Sequence, residues 1–204
     1  MAEVRKRNSQ KGATTRQQIL LRACDVASVE GLEGLTIGRL AEVTGLSKSG
    51  LIRHFESKEG LQLAIVELAY LRFQMEVVEP VLEVEAGLLR LKALMRSWLR
   101  YLESGPYSGG CLWYQAAADF DGRPGSIKAK LAEIFSERFE LIRHQVAIAM
   151  AKRQIETRGR TAADLAFAIQ ASIQESILMR QLVGHPEASL LGKRAVESVI
   201  GAIG

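Results

Sequence analysis

Between Thr36 and Phe55 two short helical patterns meet at a break, and no other segment constrains the fold as tightly. Thr36 is placed to cap a helix running to about Val43. Thr44-Gly45 ends it, and Ser47 is placed to cap a second helix running to about His54. Ala41 is small where the two helices would cross, and Gly45 is free to take the left-handed conformation of a tight turn. Ile37, Leu40, Leu46, Leu51 and Phe55 supply the apolar contacts that would fix the angle between them. This is the pattern of a helix-turn-helix, whose second helix offers its first turn to the major groove of DNA. Lys48, Ser49 and Gly50 stand there, cationic or short enough for close approach. The same pattern also suits two short helices in an ordinary bundle, so the flanking residues have to decide.

The rest of the chain reads as helix. Ile19, Leu20, Ala23, Cys24 and Ala27 share one face of a helix expected over 15–30, with Thr14 or Thr15 opening a capping box and Gly31 as its stop. Further helices are expected over 57–78, ended by Pro80, and then over 83–103, 111–118, 126–156, 161–183 and 186–203. In segment 126–156 Leu131, Phe135, Phe139, Ile142, Val146 and Ala149 trace an apolar face, and Thr161-x-x-Asp164 opens the next helix as a capping box. Period-two alternation between hairpin turns is absent, as is any internal repeat. The fold class is therefore all-α with about nine helices. Three domains follow: a basic arm over 1–12, a DNA-binding domain over 13–73, and a C-terminal domain over 74–204.

Charge gives direction without deciding function. The 204 residues carry a formal net charge of +4. Arg5, Lys6, Arg7, Lys11 and Arg16 crowd the N-terminus against one acid, Glu3, as in a phosphate-seeking arm or a solvated tail. Cys24 and Cys111 are too far apart to suggest a disulfide framework or a metal site, and no cofactor is called for. Without a leader's apolar run or a stretch long enough to span a bilayer, a soluble cytoplasmic protein without membrane contact is expected. His54, His144 and His185 are scattered, and no nucleophile elbow, HExxH or phosphate loop accompanies them, so the competing class, an enzyme, has no motif to support it.

The residues around the short helix pair resemble the TetR family of bacterial regulators, densely from Thr15 to Ala69. The resemblance rests on the Thr15-Arg16-x-x-Ile19-Leu20 opening, Glu30-Gly31, Thr36-Ile37 and Leu40-Ala41-Glu42. It continues through Gly45-Leu46-Ser47-Lys48 and Arg53-His54-Phe55-x-Ser57-Lys58-Glu59-x-Leu61. Beyond residue 80 only the architecture and faint motifs remain, Gly110-Cys111 and the final helix pair among them. The resemblance implies a homodimer bound to a double-stranded DNA operator, a repressor released by a small-molecule effector of unknown identity. The alternative is a ligand-independent regulator whose C-terminal half only dimerises. The DNA-binding residues it implies are Arg5, Lys6, Arg7, Thr36, Arg39, Ser47, Lys48, Ser49, Gly50, Ile52, Arg53, His54 and Lys58. Ile52 departs from the family, which usually has a phosphate-binding Tyr there, so Ile52 either loses that anchor or touches sugar or a thymine methyl. His54 has a second reading, as a spacer against the first helix.

For the C-terminal half the resemblance implies an effector pocket among the middle helices. Phe73, Trp98, Tyr101, Cys111, Trp113, Tyr114, Phe139 and Phe167 are its candidate apolar lining, and His144, Gln170 and Gln174 its candidate polar groups. Taken singly, each aromatic is more at home in an ordinary core than against a ligand. The dimer seam is expected on the last two helices, along the small-residue stripe Ala168, Ser172, Ser176 and the facing stripe Leu191, Ala195, Val199.

Overall fold

The computed structural model describes the backbone of residues 2–201 and the side chains of residues 15–201. Its described elements are helices and turns: α1 (Ala2–Glu30), α2 (Ile37–Thr44), α3 (Lys48–Phe55), α4 (Lys58–Phe73), α5 (Leu88–Glu103), α6 (Leu112–Phe120), α7 (Ser126–Ala151), α8 (Ala162–Gln181) and α9 (Ala188–Ile200). The fold class is all-α, as the periodicity indicated. Among the described residues no helix is long and apolar enough to cross a membrane.

The helix boundaries show where local chemistry was a sufficient guide. Thr36, Ser47 and Thr161 each cap the helix expected of them, their side-chain oxygens accepting from the backbone N–H of Arg39, Gly50 and Asp164. Thr161 and Asp164 form the reciprocal capping box. Three boundaries differ from expectation. The first helix begins at Ala2 rather than at Thr15, through a stretch rich in good helix formers that Gly12 alone does not interrupt. Helix α5 begins at Leu88, because Gly87 takes φ 111, outside the helical region. Its first free amides are met from α7 and the turn after it: Gln145 Oε1 accepts from Gly87 N at 3.1 Å and Gln154 Oε1 from Leu88 N at 3.0 Å. Helix α7 stops at Ala151, two residues before Arg153 turns to φ 56.

Proline 80 explains the end of α4. A single π-helical turn spans Gln74–Val78, followed by a 3-10 turn over Glu79–Val81. Pro80 has no N–H to offer the carbonyl four residues back, which is that of Glu76. Ser97 Oγ donates to the Glu76 carbonyl instead, at 3.2 Å.

Two compact units share the chain: Met1–Tyr70 with Tyr107–Leu131, and Leu71–Pro106 with Ala132–Gly204. The boundary falls inside α4 and α7. Residues 107–131, which the sequence reading assigned to the C-terminal domain, thus cluster with the N-terminal helices. The reason is polar and local. Asp25 Oδ1 accepts from Ser108 N at 2.8 Å, Ser28 Oγ from Gly109 N at 2.9 Å, and Asp119 Oδ2 from Glu33 N at 3.1 Å. Arg123 pairs with Glu33 at 2.8 Å, and Ser126 bonds Glu59. The first unit's core gathers Ile19, Leu20, Ala23, Cys24 and Ala27 of α1 with Leu40, Leu51, Phe55, Leu61 and Ile65, all buried.

Candidate nucleic-acid interface

Helices α2 and α3 stand apart as a pair because their caps and turn are met locally. Gly45 sits at φ 70 and its N–H donates to the Ala41 carbonyl at 2.9 Å, ending α2 in the left-handed conformation that a Cβ would disfavour. Leu40, Leu51 and Phe55 are buried, so α3 lies against the core through Leu51 and Phe55. A helix turns about 100° per residue, so Ser49 and Arg53, four apart, stack on the face opposite Leu51 and Phe55. Lys48, Ser49, Ile52 and Arg53 are all exposed, Ile52 at 49%. The outward surface of α3 is thus cationic at both ends, with an apolar patch between. Leu46 and Ile37, expected in the contact between the helices, are only partly covered.

Other expected contact residues are committed elsewhere. Arg39 holds Glu30 through Nε and Nη2 at 2.7–3.1 Å and reaches Glu42 at 3.4 Å. Arg39's hydrogen bonds keep the Glu30 carboxyl below the usual carboxylate range. Lys58 Nζ donates to the Glu33 carbonyl at 2.6 Å and pairs with its carboxylate at 3.3 Å. Both cations thus tie parts of the first unit together while staying partly exposed. His54 is half-buried beside Phe55, and its carbonyl accepts from Arg16 Nε at 3.5 Å, nearer to the spacer reading. Thr36 and Ser47 use their oxygens as caps, and Ser47 Oγ also shares a hydrogen bond with Ser49 Oγ at 3.2 Å. The side chains of Arg5, Lys6 and Arg7 lie outside the described residues.

The sequence reading missed the joint that aims α3. Glu56 takes φ 63, ψ −46, and Ser57 N donates to the Phe55 carbonyl at 2.6 Å across it, a tight and strained three-residue turn. Ser57 Oγ then accepts from Gly60 N at 3.0 Å, and a Cβ on Gly60 would stand 2.3 Å from the Phe55 carbonyl oxygen. Gly60 lets α4 start directly under α3.

This geometry has counterparts. Residues 19–65 match the family described as bacterial regulatory proteins, tetR family, and residues 87–196 match the tetracyclin repressor-like C-terminal domain. The chain belongs to the TetR family. It is a DNA-binding transcriptional regulator, and TetR-family neighbours agree over nearly its whole length. A TetR regulator from Chloroflexus aurantiacus superimposes with a TM-score of 0.83 at 24% identity, covering 95% of this chain and 98% of that one. AibR, solved with isovaleryl coenzyme A and operator DNA, gives a TM-score of 0.73 at 19% identity over 92% and 99% of the two chains. The nucleoid occlusion factor SlmA of Vibrio vulnificus is 24% identical over 88% of this chain and 84% of its own.

The residues expected to line an effector pocket divide between the units. Phe73, Trp98 and Tyr101 meet in the second unit, Phe73 edge-on to Trp98 at 5.1 Å and to Tyr101 at 6.0 Å between ring centroids. Arg138, which the sequence reading missed, is only 2% exposed and lies 4.6 Å over Trp98 and 4.7 Å over Phe135. Cys111, Trp113 and Tyr114 belong to the first unit, where Trp113 lies 6.4 Å from Tyr70. Phe139 is half-buried. His144 and Gln174 are exposed, and their neighbours Gln145 and Ile173 take the inward positions expected of them. Phe167 is 70% exposed, so it does not line an enclosed site within its subunit. Gln170 is half-buried, and its Oε1 is enclosed without a hydrogen-bond partner.

The expected dimer stripe is also partly spent inside the subunit. Ser176 is buried and donates to the Ser172 carbonyl at 2.7 Å. A Cβ on Gly192 would lie 1.8 Å from Ser176 Oγ, so α8 and α9 cross there at close range within one chain. Ala168 and Val199 are half-buried, and Leu191 and Ala195 remain exposed. The open face of α8 lies one step round, where Phe167, Ala171, Leu178 and Leu182 are exposed, Leu182 at 77%.

Proposed function

We propose that this protein is a homodimeric, cytoplasmic repressor that binds a palindromic operator through α3 of each subunit and leaves it when a small molecule binds its C-terminal half. One observation carries the DNA side: α3 is fixed by Leu51 and Phe55 while Lys48, Ser49, Ile52 and Arg53 face outward from a capped first turn. Lys48 and Arg53 are the phosphate or base contacts. Ile52 meets sugar or a thymine methyl, and the basic N-terminal residues add sequence-independent attraction.

A short reading helix reaches few bases, so two copies are needed to specify a site. The exposed apolar faces of α8 and α9 supply the contact: Phe167, Ala171, Leu178 and Leu182 on one, Leu191 and Ala195 on the other. This reading moves Phe167 from pocket to seam.

The effector reading draws on the aromatic cluster of Phe73, Trp98 and Tyr101 around Arg138 and on Gln170, whose enclosed oxygen a donor on a ligand would satisfy. AibR, similar in fold, was solved with both an acyl thioester and its operator. An apolar or aromatic effector would lower DNA affinity by favouring subunit spacings that misplace the two α3 helices.

Selection of binding sites from random duplexes is the test. The expected product is an inverted repeat with half-sites about 10 bp apart, or a multiple of one helical turn. A selected site without two-fold symmetry, or no enrichment, would contradict the reading. Compounds that raise the melting temperature should then release the selected duplex, with a coupling of about 1–3 kcal/mol. Stabilising compounds that leave DNA binding untouched would favour a C-terminal half that only dimerises.

A further inference from the structure

Helices α5 and α9 of the second unit enclose a groove that none of the functions above uses. Two adjoining concavities of about 410 and 420 Å³ share Arg96, Leu99 and Lys193 in their lining. Lys92 lies with Ile200 at one end and Glu103 with Ser189 at the other, so the two helices run antiparallel along it. Met95, Leu99, Val196 and Ile200 form a buried apolar floor, and Leu190, 39% exposed, extends it. Lys193 and Glu197 lie on the opposite flank of α9 from Leu191 and Ala195, so the groove is separate from the proposed dimer face.

The rim is charged in a regular way. Lys92, Arg96 and Arg100 follow one another at four-residue spacing, which on a helix places cations about 6 Å apart along one line. None of the three has a carboxylate partner among the described residues, whereas Lys193 faces Glu197 at 4.0 Å. Other cations of this unit are divided: Arg72 pairs with Glu76, Arg143 with Glu140 and Lys152 with Glu85, while Arg153, Arg180 and Arg194 have no carboxylate partner among the described residues. What sets Lys92, Arg96 and Arg100 apart is their alignment, a row of three cations at helical spacing beside an apolar floor.

We propose that this groove docks an acidic amphipathic helix of a partner protein. The repeat decides the occupant. A helix carrying carboxylates at four-residue spacing presents them about 6 Å apart, in register with Lys92, Arg96 and Arg100. Its apolar flank then lies over Leu190 and the floor. A small anionic amphiphile has one headgroup and would use one of the three cations. Because the floor is already largely covered, the association is mainly electrostatic, reversible and sensitive to salt.

The test uses the full-length protein and a fluorescein-labelled synthetic helix with glutamate at i, i+4 and i+8 and leucine at i+3 and i+7. Fluorescence anisotropy at low salt should show saturable binding that weakens about tenfold in Arg96→Gln/Arg100→Gln, a change of roughly 1.4 kcal/mol. A peptide of the same composition with its glutamates out of register should bind as weakly as the variant does the original. Affinity for the selected operator should be unchanged in that variant. Equal binding of both peptides, equal binding by wild type and variant, displacement of the peptide by decanoate at matched concentration, or loss of operator affinity in the variant would each overturn the proposal. The last would assign the ladder to DNA.

Discussion

The aim of α3 depends on a few residues whose cost is visible in the backbone. Glu56 holds a positive φ at the turn between α3 and α4 without being glycine, and Gly60 makes room for the Phe55 carbonyl beneath it. Non-glycine residues in such conformations cost about 1 kcal/mol, which glycine avoids. Glu56→Gly is therefore expected to leave stability level or raise it by up to about 1 kcal/mol, against glycine's greater freedom in the unfolded chain. Gly60→Ala should lower stability by about 1–3 kcal/mol through overpacking against that carbonyl. Urea denaturation checks both, and a Gly60→Ala protein as stable as wild type would show that the joint yields. Sequence could not reveal this turn, because Phe55-Glu56-Ser57 contains none of the residues that announce a positive φ. The ion pairs of Arg39 and Lys58 were hidden for a related reason: their partners Glu30 and Glu33 are distant in sequence.

Among elements, caps were the most legible, since a Thr or Ser side chain and an amide three residues on settle a helix start between themselves. Thr36, Ser47 and Thr161 could be read on this basis. Starts set by distant partners could not, as at α5, whose first amides depend on Gln145 of α7 and Gln154 in the turn beyond it. The inward face of α7 was only half legible: Arg138 and Gln145 are buried, while Phe135 and Phe139 are half-exposed. An apolar count prefers the phenylalanines, but cation–π contacts and the Gly87 amide decide. The α8 cap also gives a pH dependence. Hydrogen bonds from the Thr161 backbone and hydroxyl hold Asp164 below its ordinary 3.8. Its contribution is full above the unfolded value and is lost as pH falls through the lower folded one. The stability difference between wild type and Asp164→Asn should therefore shrink between neutral pH and about pH 3, by urea unfolding at each. A difference that stays constant would mean the carboxylate is not what caps α8.

At the scale of the whole molecule, family and fold were legible from the helix-turn-helix outward, whereas the close crossing of α8 and α9 within one chain was not. The small residues of α8 invited a seam between subunits, yet Ser176 and Gly192 bring α8 and α9 together within one chain. Spacing alone cannot tell whose helix fills the notch. With the seam moved to Phe167, Leu178 and Leu182, replacing Leu182 by Glu puts a charge into the proposed contact. Sedimentation of Leu182→Glu should show monomer with normal helix content and loss of operator binding. A dimer of unchanged strength would place the contact elsewhere.

The central claim is that α3 reads the operator through its outward face, and salt-dependent titration of Arg53→Ala tests it most directly. Fluorescence anisotropy on the selected duplex, at several salt concentrations, should show one of two outcomes. Binding weakens by about 1–3 kcal/mol with discrimination relaxed at one base pair, or it weakens uniformly while the salt slope falls by about one phosphate's worth. Wild-type affinity together with a wild-type salt slope would contradict the account, because an exposed cation on the reading helix would then touch no part of the DNA.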